Sequence, residues 1–306
     1  MKDFLTLWDY SKEEIYCFLD EAVKLKQMQE QGEPHLYLKD KILAMIFEKA
    51  STRTRVSFEV GIMQLGGKSL FLNSKDIQLG RGETIADTAR VLSRYVDGIM
   101  IRTFAHAKVE ELAYWASVPV INGLTDDHHP CQVIADLFTI KEYKGELKNL
   151  KLCFIGDGNN VANSLLEGAV KVEMDICVAT PKGYEPKGEV VEVVKKLACQ
   201  QGTKVIITND PLAAVKDADI VYTDVWTSMG QESENSKRQV CFKDYQINQE
   251  LCSYADKDHI VLHCLPAHRG EEVTADILDG PHSVIFDQAE NRLHVQKAIM
   301  KALIGR

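Results

Sequence analysis

The sequence predicts a two-domain α/β protein, each domain a mostly parallel sheet flanked by helices, and three observations carry that expectation. The chain has 306 residues, which at roughly 150 residues per domain points to about two folding units. Short apolar runs alternate with longer amphipathic stretches, as repeated strand–helix–strand units require. The alternation pauses once, at the polar turn around Gly145-Glu146, and then restarts. Residues 1–145 and 146–287 are therefore expected to form the two domains, with an amphipathic helix near 288–303 closing the chain.

Taken in order, Ser11-Lys12-Glu13-Glu14 reads as a capping box, in which Ser11 accepts an amide hydrogen bond and Glu14 reaches back. Ile15, Phe18, Leu19, Ala22 and Val23 follow at helical spacing, and Gly32-Glu33-Pro34 ends that helix. Strands are expected at 42–47, 69–72, 98–101 and 118–121, with helices near 53–65, 85–95, 109–116 and 130–143. The second half is expected to place strands at 151–155, 175–179, 204–208, 219–223, 260–263 and 283–286. Asp210-Pro211 marks a helix start, a capping residue followed by a proline whose missing N–H is no loss there.

Hydrophobic residues make up 45 % and charged residues 26 % of the chain, the proportions of a globular rather than a disordered protein. A net charge of −9 excludes a broad basic face that tracks nucleic-acid phosphates, though not a local cationic site. No run approaches ~18 apolar residues, and Met1-Lys2-Asp3-Phe4 opens no apolar leader. No membrane partner is expected, and the cytoplasm is the expected compartment. The cysteines show no C-x-x-C and no zinc spacing; Cys17, Cys131, Cys153, Cys177, Cys199, Cys241 and Cys252 read as packing residues. Trp8, Trp115 and Trp226 read as core or anchor residues.

In open α/β sheets ligands bind beyond the carboxyl ends of the strands, so the polar residues there are the candidates. In the first half they are Ser51-Thr52-Arg53-Thr54-Arg55, then Arg102, then His128-His129-Pro130-Cys131-Gln132. Free amides at a helix start, hydroxyls and a guanidinium together make an anion site. In the second half they are Gly156-Asp157-Gly158-Asn159-Asn160, Asp224 with Thr227-Ser228-Met229-Gly230, and His263-Cys264-Leu265-Pro266. Gly156-x-Gly158 resembles the opening of a dinucleotide fingerprint, but Val161 replaces its third glycine and Asp175 opens a strand instead of ending one. The histidines and cysteines match no standard metal spacing, so no metal and no cofactor is expected. Cys264 ends a strand and is a candidate reactive or positioning thiol. The charged segment 232–238 reads as a solvated loop able to act as a lid.

Ser51-Thr52-Arg53-Thr54-Arg55, His129-Pro130-x-Gln132, Asp224-x-x-x-Ser228-Met229-Gly230 and His263-Cys264-Leu265-Pro266 occur in that order. Together they resemble the carbamoyltransferase family over residues 47–292. The first two motifs are shared across the superfamily, and the last two point to its ornithine-specific branch.

The resemblance implies two substrates. Carbamoyl phosphate would lie on Ser51, Thr52, Arg53 and Thr54, with Arg102, His129 and Gln132 around its carbonyl and Cys264, Leu265 and Arg292 completing the pocket. Gln78 would reach the phosphate of a neighbouring subunit. Ornithine would bind Asn160, Asp224, Ser228 and Met229, with Cys264 orienting or accepting the δ-amine proton. Arg102, His129, Gln132, Cys264 and Asp224 would be the catalytic set. The resemblance further implies homotrimers with shared sites, domain closure, and a C-terminal helix 288–306 that packs back on the first domain. Putrescine and an acylated ornithine are the rival acceptors, and aspartate is disfavoured because Asp224 and Cys264 suit an amino-terminated substrate. A nicotinamide-dependent oxidoreductase is the rival class.

Overall fold

The computed structural model describes residues 3–78, 82–228, 230 and 232–305. Met229 and the Leu79-Gly80 part of the Gln78 loop lie outside them. The chain divides into two compact units, Met1–Phe138 with Glu290–Arg306, and Thr139–Ala289. The divisions fall within two helices, α5 and α12 below.

The first unit begins with α1 (Lys12–Glu30), whose capping box forms as expected: Glu14 N–H donates to Ser11 Oγ and Ser11 N–H to the Glu14 carboxylate. Then follow β1 (Ile42–Phe47), α2 (Thr52–Gln64), β2 (Lys68–Asn73), α3 (Ile85–Leu92), β3 (Gly98–Arg102), α4 (His106–Trp115), β4 (Val120–Leu124) and α5 (Pro130–Lys144). The sheet order is β2-β1-β3-β4 and every pair is parallel. Parallel strands are covered on both faces, so the central ones are apolar apart from Arg102 at the carboxyl end of β3. Leu43, Ala44, Met45 and Ile46 of β1 are fully buried, and Ala44, Ile46, Ile99, Ile101 and Val120 pack with Ala89, Val109 and Leu112 of the helices. Each buried branched side chain stabilises the fold by about 1.5–3 kcal/mol.

The second unit contains β5 (Lys151–Ile155), α6 (Asn160–Lys171), β6 (Asp175–Ala179), α7 (Gly188–Gln201), β7 (Val205–Thr208), α8 (Pro211–Val215), β8 (Ile220–Thr223), α9 (Asn235–Phe242), α10 (Gln249–Cys252), β9 (Ile260–His263), α11 (Ala275–Leu278) and the start of α12 (Ile285–Ile304). Its parallel sheet runs β7-β6-β5-β8-β9. Asp210 caps α8 through the amides of Leu212 and Ala213, as Asp210-Pro211 predicts. One core joins Cys153, Ile155, Cys177, Val221 and Val261 of the sheet to Trp226, Phe242, Leu251 and Ile277.

Several expectations need correction. No strand forms at 283–286: Ser283 makes one isolated bridge to Val261, and α12 already begins at Ile285. A short apolar run carries no periodicity that separates strand from helix. The fourth strand starts at Val120 because Pro119 has no N–H to give a ladder. Residues 232–238 are helical, a short 3-10 turn leading into α9, and Arg238 is buried instead of solvated. Trp226 is buried, but Trp8 and Trp115 are exposed, as are Cys17 and Cys199.

Candidate active site

In each sheet the chain leaves its first strand to one side and later crosses to the other, which opens a crevice at the carboxyl ends of that strand and its neighbour. In the first unit those neighbours are β1 and β3, and in the second β5 and β8. The candidate residues cluster at these two places.

In the first unit, Ser51 is the extended N-cap of α2, and Thr54 N–H donates to its hydroxyl at 3.1 Å. The helix start exposes Thr52 and half-buries Arg53, while Thr54 is fully buried. Two other elements, β3 and α12, converge on Thr54. Arg102, the last residue of β3, donates from Nη1 to Thr54 Oγ1 at 3.4 Å, and Arg292 of α12 donates from Nη2 at 2.8 Å. Arg292 Nη1 also donates to Gln132 Oε1 at 3.0 Å, and Gln132 Nε2 donates to Asp136 Oδ1 at 2.8 Å. Pro130 opens α5 at the position where its lost N–H matters least, and this sets His129 just ahead of the helix. Burial, together with the charges of Arg292, Arg102 and Arg53, holds the His129 imidazole well below its ordinary pKa. His129 is therefore neutral and able to donate one hydrogen bond without adding charge. Three guanidiniums, three hydroxyls and a helix N-terminus together offer the donors that a small, strongly charged anion would take. No side-chain hydrogen bond joins Gln78 to this cluster; it is exposed, and its carbonyl accepts from Glu83 N–H at 3.2 Å.

In the second unit, Asp224 follows β8 and is 7 % exposed. Asn159 Nδ2 donates to Asp224 Oδ2 at 2.8 Å and the Cys264 thiol donates to Oδ1 at 3.0 Å. Asn159 also caps α6, its Oδ1 accepting from the amides of Val161 and Ala162. Asn160 is the first residue of that helix and is half-buried, as is Ser228. Leu265 has a left-handed backbone at φ +57°, a conformation that costs a non-glycine residue roughly 1–3 kcal/mol. Its N–H donates to His263 Nδ1 at 2.9 Å, so His263 Nε2 carries the proton and meets Glu272 Oε1 at 3.1 Å. Burial works to raise the Glu272 carboxyl, but the bonds from His263 and from the His268 amide outweigh it and hold the group below its usual range. The donor atoms of Asp224, His263 and Cys264 lie within 4.8 Å of one another. Both nitrogens of His263 are already engaged, so the trio presents a hydrogen-bonded carboxylate and thiol instead of three open metal ligands.

The structure adds residues that the motifs do not single out. Asn159, which caps α6, also holds Asp224; an Asn just before a helix is an N-cap signal. Asp157 and Arg238 form a buried pair at 2.7 Å, and Arg238 Nη1 also donates to the Trp226 carbonyl at 2.8 Å. No local pattern reveals that pair, because its members come from distant turns. The glycine-rich turn serves the chain itself. A Cβ on Gly158 would lie 2.2 Å from Pro186 N, and Gly158 N–H donates to the Tyr184 carbonyl at 2.8 Å. The close approach that this glycine grants to a pyrophosphate in a dinucleotide fold is taken here by residues 184–186.

A cationic, hydroxyl-bearing cluster on one α/β unit and an acid–thiol cluster on the other suit a group-transfer enzyme that acts on two small substrates. Family models agree: residues 2–142 match the aspartate/ornithine carbamoyltransferase carbamoyl-P binding domain, and residues 148–303 match the Asp/Orn binding domain. The chain belongs to the aspartate/ornithine carbamoyltransferase family. It is 62 % identical over 303 residues to the ornithine carbamoyltransferase of Anoxybacillus flavithermus, covering 99 % of this chain and 96 % of that one. It superposes on the ornithine carbamoyltransferase of Pyrococcus furiosus with a TM-score of 0.96 at 55 % identity, covering 99 % of this chain and 96 % of that one. The anabolic ornithine carbamoyltransferase of Campylobacter jejuni gives a TM-score of 0.93 at 47 % identity, with 99 % of each chain covered.

Proposed function

We infer that the chain is an ornithine carbamoyltransferase. It moves the carbamoyl group of carbamoyl phosphate to the δ-amine of L-ornithine, giving L-citrulline and phosphate in arginine metabolism. The observation that carries the residue-level reading is the convergence of Arg102 and Arg292 on the Thr54 hydroxyl beside a neutral His129.

In this reading the phosphate rests on the α2 amides and on Ser51, Thr52 and Thr54, with Arg53 and Arg102 countering its charge. The Thr54 oxygen accepts from two guanidiniums, so its own proton is directed to an acceptor, the carbamoyl oxygen. Arg102, His129 and Gln132 surround the same oxygen and stabilise the negative charge that grows there as the carbon becomes tetrahedral. Removing one such donor costs about 3–4 kcal/mol of transition-state stabilisation. Cys264, Leu265 and Arg292 bound the carbamoyl group. Gln78 acts on a neighbouring subunit's phosphate within a homotrimer.

Ornithine lies on the other unit. Asp224 pairs with its α-ammonium, and Asn160, Ser228 and Met229 hold the α-carboxylate end. An aqueous amine with a pKa near 10.4 is neutral in only about one molecule in 2,000 at pH 7, so the site must take its proton. A cationic, desolvated site disfavours the ammonium, and the Cys264–Asp224 pair offers a route for the proton. The δ-nitrogen then bonds to the carbamoyl carbon, the carbon–oxygen bond to phosphate breaks, and the phosphate leaves with the electron pair. Two substrates held in fixed geometry supply much of the acceleration. Among the described residues no helix is long and apolar enough to cross a membrane, and the cytoplasm is the compartment proposed.

Purified protein is expected to form citrulline from ornithine and carbamoyl phosphate, with at least a hundredfold lower kcat/KM for putrescine or aspartate. Turnover of putrescine but not ornithine would falsify the acceptor assignment.

A further inference from the structure

Within the first unit α12 lies against α2. At Gly61 the helices are so close that an added Cβ would sit 3.0 Å from Met300 Cε and 3.4 Å from Lys297 Cγ. Lys297 is fully buried, yet its ammonium has no carboxylate partner among the described residues. Nζ donates to Gln29 Oε1 at 2.8 Å, to Gln64 Oε1 at 3.0 Å and to His35 Nε2 at 3.4 Å. His35 Nδ1 donates to the Glu33 carbonyl at 2.9 Å, which leaves Nε2 as the acceptor. An ammonium has three donors and no acceptor, and here each donor meets one neutral acceptor, from α1, from the loop after it and from α2.

A buried charge without a counter-charge lowers fold stability, and a hydrocarbon of similar volume commonly restores it. The position therefore holds something that a methionine cannot supply, namely three directional bonds that fix how α12 is rotated and slid against α1 and α2. The same helix carries Arg292, about one and a half turns earlier. α2 is thus tied to α12 at both of its ends, Thr54 to Arg292 at 2.8 Å and Gln64 to Lys297 at 3.0 Å. We propose that Lys297 is a positioning residue which, with Gln29, His35 and Gln64, sets the register of α12 that brings Arg292 to Thr54 and Gln132. The proposal rests on the reading of Arg292 as part of the carbamoyl phosphate site.

The clasp senses pH. Lys26 of α1, His35 of the loop, and His294 with its neighbour Glu290 of α12 are titratable groups at this corner, and α2 faces it with the neutral Gln64. Lys26 is turned to Asn291 Oδ1 at 3.0 Å, and burial with the nearby cations holds His294 neutral, its pKa pulled to about 3. Burial pulls Lys297 to about 8, so above that pH one donor is lost and the three-point hold loosens.

The test is binding of a hydrolysis-resistant phosphonate analogue of carbamoyl phosphate to the intact enzyme, measured by calorimetry. Lys297→Met is expected to fold with a Tm at or above that of the parent and to bind the analogue tenfold or more weakly, with the ornithine KM within twofold. The parent is expected to lose several-fold affinity between about pH 7 and 9, and Gln64→Glu, which gives the ammonium a carboxylate, to move that loss to higher pH. Unchanged affinity in Lys297→Met, alongside a clear loss in Arg292→Gln, overturns the clasp and leaves the anion-site reading standing. Unchanged affinity in Arg292→Gln overturns the site reading and the clasp with it. Should Lys297→Met fail to fold, a Gln64→Glu profile identical to the parent's overturns the proposal.

Discussion

The Cys264 thiol donates a 3.0 Å hydrogen bond to Asp224 Oδ1, while Asn159 Nδ2 holds the other carboxylate oxygen at 2.8 Å. Asp224 is thereby fixed in orientation by two donors, and the thiol proton already has an acceptor. A proton arriving at Sγ from the substrate amine can be matched by one leaving toward Asp224. In Cys264→Ser the hydrogen bond survives, because a hydroxyl also donates, but an alcohol gives up its proton far less readily than a thiol with a pKa near 8.5. The expected result is a kcat at least tenfold lower, with an altered pH profile and a near-normal ornithine KM. An unchanged kcat across pH removes the thiol from proton handling.

His129 carries a pH prediction for stability. Its folded pKa lies well below 6.5, mainly through burial and then through Arg292, Arg102 and Arg53. The unfolded chain therefore binds a proton that the folded chain refuses, and stability is lost as pH falls below 6.5. Urea titrations of His129→Gln between about pH 7 and 5 are expected to show a shallower loss of stability than the parent. His129→Ala, which removes the side-chain donor that glutamine would retain, is expected to lower kcat by more than about a hundredfold. A parent slope retained in His129→Gln places the acid sensitivity elsewhere.

Arg238 joins three segments: the carboxylate of Asp157 after β5, the carbonyl of Trp226 after β8, and the carboxylate of Glu234 one turn earlier on its own helical segment. Burial, opposed by Arg238, pushes Asp157 up to about 6. A raised folded pKa means that the fold takes up this proton as pH drops through 6, and the ion pair weakens there. Because Trp226 lies between Asp224 and Ser228, the ornithine KM is expected to rise below about pH 6. Asp157→Asn is expected to show a KM raised several-fold already at neutral pH, with carbamoyl phosphate affinity unchanged. Arg238→Met leaves the carboxylate buried and unpaired, and is expected to cost about 3–5 kcal/mol in urea unfolding.

What the sequence discloses depends on whether a feature is local. The capping box at Ser11, the Asp210-Pro211 helix start and the apolar run of β1 are set by near neighbours, and they appear in the structure where expected. Ser51 as the cap of α2 is legible for the same reason. Features made by distant residues are not legible: Arg238 reads as one charge in a solvated run, and only its partner Asp157 explains why it is buried. Nothing local marks Lys297 as buried; its three partners Gln29, His35 and Gln64 come from other segments. The apolar residues at 283–286 mislead because one bridge and a helix start use the same short run that a strand would use.

The proposed division of labour between the Thr54 and Asp224 clusters is tested most directly by a crossed comparison of Thr54→Val and Asp224→Asn. Carbamoyl phosphate affinity is measured by calorimetry with the phosphonate analogue, and ornithine KM by citrulline formation. Thr54→Val, which removes the hydroxyl that Arg102 and Arg292 share, is expected to weaken the analogue tenfold or more. Asp224→Asn is expected to leave analogue affinity within twofold and to raise the ornithine KM tenfold or more. Analogue affinity lost equally in Asp224→Asn, or retained in Thr54→Val, contradicts the account.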